Sequence, residues 1–135
     1  MGFKKSKVHQ AYDLIGDIHG CGLSLARLLK KMDYHHLHGC YRHSTRKVIF
    51  VGDIVDRGPR IREALHIVKD MVDRGQAEIV LGNHEYNAMC YCTEAKPLSG
   101  QRYLREHNAR NHRLIRETLD QFDSYRTEWH MFLNL

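Results

Sequence analysis

The amino-acid sequence predicts an α/β fold, in which three parallel strands alternate with two helices. Three short apolar runs, each followed directly by glycine, cover residues 12–15, 48–51 and 79–81. Continuous apolar runs of this length are typical of strands in a sheet that is covered on both faces. Two stretches of helical periodicity separate the runs, and parallel strands need crossovers of this kind. We therefore expect three adjacent strands whose carboxyl ends meet at one edge.

Apolar residues spaced three or four positions apart define the two crossover helices. The first helix is predicted from Leu25, Leu28, Leu29 and Met32. The second helix is predicted from Ala64, Leu65, Val68, Met71 and Val72. Pro59 ahead of the second helix and Gly75 after it are its start and stop signals.

Two further segments have weaker patterns. Residues 34–46 show no clear period, so we expect a loop or small excursion there, with its four histidines at the surface rather than bound to metal. Beyond Glu85 the chain is predicted to be helical again, with an apolar face formed by Leu114, Ile115, Leu119 and Phe122. A solvated basic face is expected to carry Arg105, Arg110, Arg113 and Arg116.

Length and composition fit one domain over residues 1–135. The net charge of +5 is spread along the chain, which disfavours a dedicated nucleic-acid interface and suits a phosphorylated substrate. No apolar run approaches the ~18 residues of a membrane helix, and no secretory signal is found. Gly2 and Ser6 fit a loose myristoylation pattern, but an ordinary basic N-terminus is favoured. Without a signal, the four cysteines are expected to be reduced thiols in a cytoplasmic protein.

Polar residues follow all three predicted strands. They occupy residues 16–20 (GDIHG), 52–58 (GDIVDRG) and 82–85 (GNHE). In an open α/β sheet, ligands gather beyond the carboxyl ends of the strands. Taken singly, each of these residues has a structural explanation as a helix cap, a turn residue or a surface charge. Three such strand ends in order favour a common site instead.

Several of these residue types suit metal ions next to a phosphate. Asp17 and His19 lie two positions apart on an extended segment, so both side chains can face the same side. Carboxylate and imidazole groups are ligands for Zn, Fe or Mn. Asp53 leaves the neighbouring strand and is placed to bridge two cations, and Asn83 offers a neutral amide oxygen. Two cations about 3.5–4 Å apart would bind a phosphate and activate a water for in-line attack.

The remaining polar residues suit the phosphate and the leaving group. Arg57 supplies a planar fork that matches phosphate oxygens, and Asn83 is a second candidate for phosphate binding. His84 is placed to protonate the leaving oxygen. Asp56 is a candidate to hold that imidazole in place.

Together the three motifs resemble the calcineurin-like metallophosphoesterase superfamily. Residues 52–58 and 82–85 look like its phosphoprotein phosphatase branch, which includes serine/threonine and bacterial relatives. The resemblance covers about residues 12–91. It implies a β-sandwich flanked by helices, of which this chain would hold an N-terminal βαβαβ portion followed by helices. It also implies a centre of two divalent metal ions, with Mn favoured over Fe or Zn.

Roles for individual residues follow from the resemblance. It assigns the first metal to Asp17, His19 and Asp53. It assigns the second metal to Asp53 and Asn83. Arg57 would bind the phosphate, and His84, paired with Asp56, would be the general acid. Glu85 completes the third motif but is assigned no chemistry.

One departure from the family pattern concerns the second metal. The pattern requires two further histidines on later strands, one of them usually after a glycine, and this sequence contains no Gly-His pair. His107, His112 and His130 lack the expected context, and the chain ends within an apolar stretch, residues 131–135. We therefore interpret the chain as a C-terminally truncated portion that binds one metal ion more tightly than a second.

The sequence thus predicts a metal-dependent phosphomonoesterase that acts on a phosphorylated protein or small molecule, or the N-terminal portion of such an enzyme. A non-catalytic module that binds metal or phosphate is the alternative from a different class. Hydrolysis of symmetrical dinucleoside polyphosphates, which related family members perform, is a further alternative within the enzyme class. No membrane partner is expected.

Overall fold

The computed structural model describes residues 10–122 and confirms the α/β class. Its regular elements, in chain order, are β1 (Ala11–Ile15), α1 (Gly22–Lys31), β2 (His35–Leu37), β3 (Cys40–Arg42), β4 (Arg46–Phe50), α2 (Ile61–Asp73), β5 (Ala77–Ile79), α3 (Asn83–Cys92) and α4 (Ala109–Phe122). A short 3₁₀ turn, Pro97–Ser99, lies between the last two helices. The predictions for Gly2, Ser6, His130 and residues 131–135 fall outside the described residues.

The strands β1, β4 and β5 form a parallel sheet with β4 in the middle, which confirms their predicted adjacency. Ile15 lies opposite Phe50, and Phe50 lies opposite Ile79, so the three strands end at the same level. The loops that follow the strands therefore start at one edge of the sheet. These loops carry the predicted site residues.

The helices α1 and α2 bury their predicted apolar faces against this sheet. Leu29, Val68 and Met71 are fully buried, and they belong to one core with Ile15 and Phe50. Burial of a side chain of this size contributes roughly 1.5–3 kcal/mol. The core thus fixes both crossover helices on the sheet and sets the position of the loops at its edge.

One face of the sheet is open within the described residues, so the expectation that the strands are covered on both faces is wrong for this part of the chain. Tyr12, Leu14 and Val80 are 45%, 69% and 55% exposed, whereas Ile15 is buried. The reason is that both helices contribute to the core on the face that carries Ile15. A β-sandwich needs a second sheet packed against such a face.

Within residues 34–46, for which the pattern predicts a loop or small excursion, β2 and β3 form a small antiparallel hairpin outside the main sheet rather than an irregular loop. The turn is made by His38 and Gly39, whose φ angles are 51° and 83°. Positive φ at both central residues is what a type I′ hairpin turn requires. Tyr41 in β3 is buried, whereas His35 and His36 in β2 are exposed, as expected for surface histidines.

The helices α3 and α4 confirm the helical prediction beyond Glu85. Ile115 and Phe122 of the predicted apolar face are buried. The arginines that lie exposed, as predicted, are Arg110, Arg113 and Arg116. Arg105 departs from the prediction, because it precedes α4, is half-buried and donates from Nη1 to Asn87 Oδ1 at 2.6 Å.

The structure also bears on the cysteines and on membrane-spanning helices. The four cysteines, all within residues 10–122, are not joined in disulfides, which agrees with the prediction of thiols. Within residues 10–122, none of the helices combines the length and the apolar character needed to cross a membrane.

Candidate metal and phosphate site at the strand ends

The three strand-end loops are joined to one another by main-chain hydrogen bonds. The N–H of His19 donates to Asp53 O at 2.9 Å, and the N–H of Gly20 donates to Ile54 O at 2.7 Å. The N–H of His84 donates to Asp53 Oδ1 at 3.2 Å. As a result, potential ligand atoms of His19, Asp53 and His84 all lie within 4.8 Å of one another. The prediction that the loops converge at one edge is therefore confirmed.

Gly52 allows the second and third loops to approach closely. Its φ of 87° lies in the left-handed region, where glycine is favoured. A Cβ atom at this position would also clash with the backbone of Gly82. The close approach matters because the residues that follow these two glycines are Asp53 and Asn83.

Five of the predicted site residues adopt left-handed backbone conformations, which are unfavourable for residues that carry a Cβ atom. The φ angles are 50°, 43°, 55°, 68° and 68° for Asp17, His19, Asp53, Asp56 and Arg57. Each such residue costs roughly 1–3 kcal/mol and persists where surrounding contacts impose it. Strain of this kind clusters at ligand-binding and active sites, so its concentration in these two loops supports a functional role for them.

His19 has a defined tautomer. Its Nδ1 lies 3.1 Å from Val55 O, and because a carbonyl only accepts, Nδ1 carries the proton. In the neutral form of this ring, Nε2 has the lone pair that a metal ligand requires. The side chain is 13% exposed, and its ring packs edge-on against His84 with 4.6 Å between centroids. His19 thus presents a held imidazole nitrogen to the shared edge.

Glu85 fixes the main chain around Asp53. Its Oε1 accepts the N–H groups of Ile54 at 2.7 Å and Val55 at 3.0 Å. Its Oε2 accepts the N–H groups of Asp53 at 2.8 Å and Gly82 at 2.9 Å. Four donors compensate for the burial of this carboxylate. The sequence assigns Glu85 no chemistry, although its position three residues after Gly82 is the spacing of a capping box.

His84, Asp56 and Thr118 form a buried chain of hydrogen bonds. His84 Nδ1 donates to Asp56 Oδ2 at 2.8 Å. The Thr118 hydroxyl donates to Asp56 Oδ1 at 2.5 Å and accepts the Asp56 N–H at 3.0 Å. The side chains of His84 and Asp56 are 14% and 4% exposed. The predicted contact between these two residues is therefore present, and His84 Nε2, which takes no part in it, has Arg57 Nη2 as a neighbour at 3.4 Å.

Gln121 holds the same loop at a second point. Its Oε1 accepts the N–H of Ile61 at 2.6 Å, and its Nε2 donates to Gly58 O at 3.0 Å. Both Gln121 and Thr118 belong to α4. This helix therefore secures the second loop through two side chains that the sequence analysis did not identify.

Asp17, Arg57 and Asn83 lie at the exposed rim of the site. The Asp17 side chain is 84% exposed, and its Oδ1 lies 3.7 Å from His19 Nε2. Arg57 is exposed, with Nη2 3.4 Å from His84 Nε2. Asn83 is the exposed first residue of α3. The fold brings all three to the predicted edge, but Asp17 lies outside the group formed by His19, Asp53 and His84.

A profile of the calcineurin-like phosphoesterase family matches residues 12–132, which include all three loops. The chain belongs to this family. The resemblance inferred from the three motifs is thereby confirmed, and so is the fold class that it implies, a mixed α/β structure with a parallel sheet flanked by helices.

Curated relatives match about half of the chain. Bis(5'-nucleosyl)-tetraphosphatase PrpE (asymmetrical) from Halalkalibacterium halodurans is 42% identical over 74 residues, which cover 54% of this chain and 30% of that protein. The proteins of the same name from Oceanobacillus iheyensis and Bacillus subtilis are 44% and 39% identical over 53% and 55% of this chain. The match thus spans less than a third of the length of these relatives.

Membership of the calcineurin-like phosphoesterases implies divalent metal ions, and the residues at the shared edge fit them. His19 offers its Nε2 atom, and Asp53 offers carboxylate oxygens close to it. Imidazole and carboxylate suit Zn, Mn and Fe alike, so the donor set does not select one metal. The left-handed backbone of both residues keeps these donors at the strand ends.

His107 and His112, two of the three histidines that lacked the family's context in the sequence, lie elsewhere. The ring of His107 stacks between Tyr91 and Tyr103, with 3.9 Å between centroids on each side. His107 Nε2 donates to Tyr91 O at 2.7 Å, and His112 Nδ1 lies 3.1 Å from the Tyr91 hydroxyl. In the part of the chain that the structure describes, neither belongs to the ligand group of His19, Asp53 and His84.

Proposed function

We propose that this chain carries the metal- and phosphate-binding part of a metal-dependent phosphoesterase, which hydrolyses phosphate esters with water. The observation that carries the proposal is the meeting of two sets of groups at one edge of the sheet. His19 and Asp53 supply ligand atoms, and the buried pair of His84 and Asp56 lies directly beside them. Ligands for an ion and a positioned proton donor are what metal-assisted hydrolysis requires.

The metal ligands in this proposal are those of the family pattern. The first ion would be held by Asp17, His19 and Asp53. The second ion would be held by Asp53 and Asn83. Bound divalent ions would polarise the phosphate oxygens and make the attacking water more acidic. Glu85 contributes by fixing the main chain of Asp53 through four hydrogen bonds.

The phosphate and the leaving group are handled by the chain's own side chains. Arg57 binds phosphate oxygens through its planar fork, and Asn83 adds an amide at the start of α3. His84 donates a proton from Nε2 to the leaving oxygen. Asp56 keeps the ring oriented through Nδ1, and the buried carboxylate compensates the charge of the imidazolium.

The substrate class that we propose is a nucleoside polyphosphate. The relatives that match at about 40% identity are named as asymmetrical bis(5'-nucleosyl)-tetraphosphatases. Asymmetrical cleavage of such a compound gives a nucleoside triphosphate and a nucleoside monophosphate. Symmetrical cleavage, the alternative considered from the sequence, gives two nucleoside diphosphates. A phosphorylated protein is the other substrate that the sequence leaves open.

A second candidate function is a non-catalytic portion that binds metal or phosphate. It is favoured by the positions of His107 and His112, which contact Tyr91 rather than the ligand group. In that case the chain binds one ion through Asp17, His19 and Asp53. The second ion would have only Asp53 and Asn83 from the motifs, and it would bind more weakly.

Metal analysis by mass spectrometry and an activity assay in excess manganese separate the two candidates. The substrates are diadenosine tetraphosphate, with products identified by chromatography, and a generic aryl phosphate. Manganese-dependent turnover that is lost in Asp53→Asn supports the phosphoesterase, and the products identify the cleavage position. One bound ion without turnover favours the non-catalytic portion. Turnover that persists in Asp53→Asn contradicts the assigned site.

A further inference from the structure

A cavity of about 190 Å³ opens beside the buried histidine–aspartate pair. The strand-end loops contribute to its lining Asp56, Arg57 and His84. The region of α3, α4 and the segment between them contributes Asn87, Arg105 and Asn111. Two arginines from distant parts of the sequence therefore share one cavity, and one of them is the predicted phosphate ligand.

Arg105 is held in place within this lining. The main-chain N–H of Arg105 donates to Cys90 O at 3.0 Å. In its side chain, Nη1 donates to Asn87 Oδ1 at 2.6 Å. A guanidinium group has five N–H donors in a fixed plane, so the contact with Asn87 leaves further donors available. Because the side chain is already oriented, part of the entropy cost of binding an anion is removed.

The positive charge of the cavity has little compensation from its lining. Among residues 10–122, Asp56 is the one acidic side chain that lines the cavity, and its oxygens accept hydrogen bonds from His84 and Thr118. Within residues 10–122, neither Arg57 nor Arg105 has a carboxylate at ion-pair distance. A cavity with two uncompensated guanidinium groups favours an anion, and their geometry matches phosphate.

The volume of the cavity limits the size of the anion that it can enclose. Pockets that enclose a drug-sized ligand have volumes of about 300–1,000 Å³, and this cavity is smaller. It suits a phosphate group rather than a whole nucleoside. The rim includes Leu114, whose side chain is 49% exposed, so the rest of a larger substrate would lie outside the enclosed volume.

We propose that this cavity is a second phosphate subsite, in which Arg105 binds a phosphate next to the one held at Arg57. The inference rests on the proposed function, because Arg57 and His84 mark the phosphate that reacts. It specifies the substrate as a compound with a chain of two or more phosphates, in preference to a monoester with a single phosphate. Arg105 is then a specificity-determining residue of the site.

Equilibrium binding to the 135-residue chain tests the subsite without depending on catalysis. Inorganic tripolyphosphate and orthophosphate are titrated by calorimetry in the presence of EDTA, so that neither metal chelation nor hydrolysis contributes. Arg105→Gln is expected to weaken tripolyphosphate binding by about tenfold or more, because charge-assisted hydrogen bonds are lost. Orthophosphate binding is expected to change less than about twofold, since one phosphate is bound at Arg57.

Two further variants control for charge and for folding. Arg113→Gln removes the same charge from an exposed position on α4 that does not line the cavity, and it should leave both affinities within about twofold. Arg105→Lys keeps the charge but loses the planar fork, so it should weaken tripolyphosphate binding by several-fold. If Arg105→Gln does not fold, judged by circular dichroism, Arg105→Lys decides the question.

The outcomes separate this inference from the proposed function. Absence of tripolyphosphate binding to the unmodified chain overturns the subsite, as do equal losses for both anions or a loss as large in Arg113→Gln. A selective loss in the Arg105 variants supports the subsite even if the chain hydrolyses neither diadenosine tetraphosphate nor an aryl phosphate, a result that would contradict only the proposed hydrolysis. If the chain does turn over, Arg105→Gln should raise KM for the dinucleotide alone.

Discussion

The buried part of the site, around His84 and Asp56, and its exposed part, which carries Asp17 and Asn83, are held in different ways. The Asp56 side chain is 4% exposed, and both of its carboxylate oxygens accept hydrogen bonds. The Asp17 side chain is 84% exposed and lies 3.7 Å from His19 Nε2. For Asn83, the described residues show no hydrogen bond from the side chain.

This difference separates two kinds of function. A buried carboxylate that already accepts its donors is fixed in orientation, and it serves to position a neighbouring group such as the His84 ring. An exposed carboxylate or amide keeps its oxygens for a cation, and the cation completes its arrangement. The proposed proton-donating pair is therefore organised by the protein, whereas the exposed proposed ligands, Asp17 and Asn83, would be ordered by the ion. Substitutions at five positions test this division: Asp53, His84, Asp56, Glu85 and Thr118.

The largest effect is expected for Asp53→Asn. Asp53 is the proposed bridge between the two ions, and a neutral amide cannot replace a bridging carboxylate. We expect metal binding to be abolished, as measured by mass spectrometry of the metal content. A variant that retains its metal would show that the metal-binding part does not depend on Asp53. Asp33→Asn, in the turn after α1, is a matched control and should bind metal normally.

The next largest effect is expected for His84→Asn. If His84 is the general acid, turnover should fall by roughly 10²–10⁴ in an active form of the protein, with metal content nearly intact. Asp56→Asn should act in the same direction but less, because Asp56 only orients His84. His35→Asn, at an exposed position in β2, is the control. Loss of the metal in His84→Asn would show that His84 is a metal ligand rather than the proton donor.

Glu85→Gln tests whether the protein itself builds the loop that carries Asp53. The substitution replaces one of the two carboxylate oxygens by an NH2 group, so two of the four main-chain N–H groups lose their acceptor and the other two bond to an uncharged oxygen. The free energy of unfolding in urea, measured in EDTA, should fall by about 1–3 kcal/mol. Glu78→Gln, at an exposed position in β5, should change it by less than about 0.5 kcal/mol. Equal losses of stability in Glu85→Gln and Glu78→Gln would show that Glu85 does not stabilise the loop that carries Asp53.

The smallest effect is expected for Thr118→Val. This substitution keeps the shape of the side chain but removes the hydroxyl that contacts Asp56. Loss of such a bond, worth about 0.5–1.5 kcal/mol, should lower turnover by roughly threefold to tenfold with little change in KM. Thr118→Ser should restore most of the turnover, because it keeps the donor. Failure of the serine variant to restore it would show that Thr118 acts by packing alone.

The strand-end loops themselves were predictable from the sequence. Apolar runs followed by glycine predicted the first two strands, and the rule that parallel strands share an edge predicted that Asp17, Asp53 and Asn83 lie together. The third run, residues 79–81, overlaps β5 (Ala77–Ile79) only at Ile79. The contact of His84 with Asp56 followed from the family resemblance, and the structure contains it at 2.8 Å. These inferences succeed because they rest on periodicity and chain order, both of which are local properties.

Other features of the structure have no local signal in the sequence. The hairpin at residues 34–46 was missed because its short strands are rich in histidine, and the open face of the sheet was missed because an apolar run does not show how many layers cover it. Arg105 was predicted to be solvated, but it lies half-buried beside Asn87. A basic residue near a helix gives no local sign of the cavity that it lines.

The sequence by itself determined the fold class, the family and the order of the site residues along the three loops. Only the tertiary structure decided which side chains support them, as the contacts of Thr118 with Asp56 and of Gln121 with Ile61 illustrate. These contacts join positions 62 and 60 residues apart. The physical reason is that such a hydrogen bond depends on how α4 packs against the second loop, and packing between distant elements has no periodic signature in the chain.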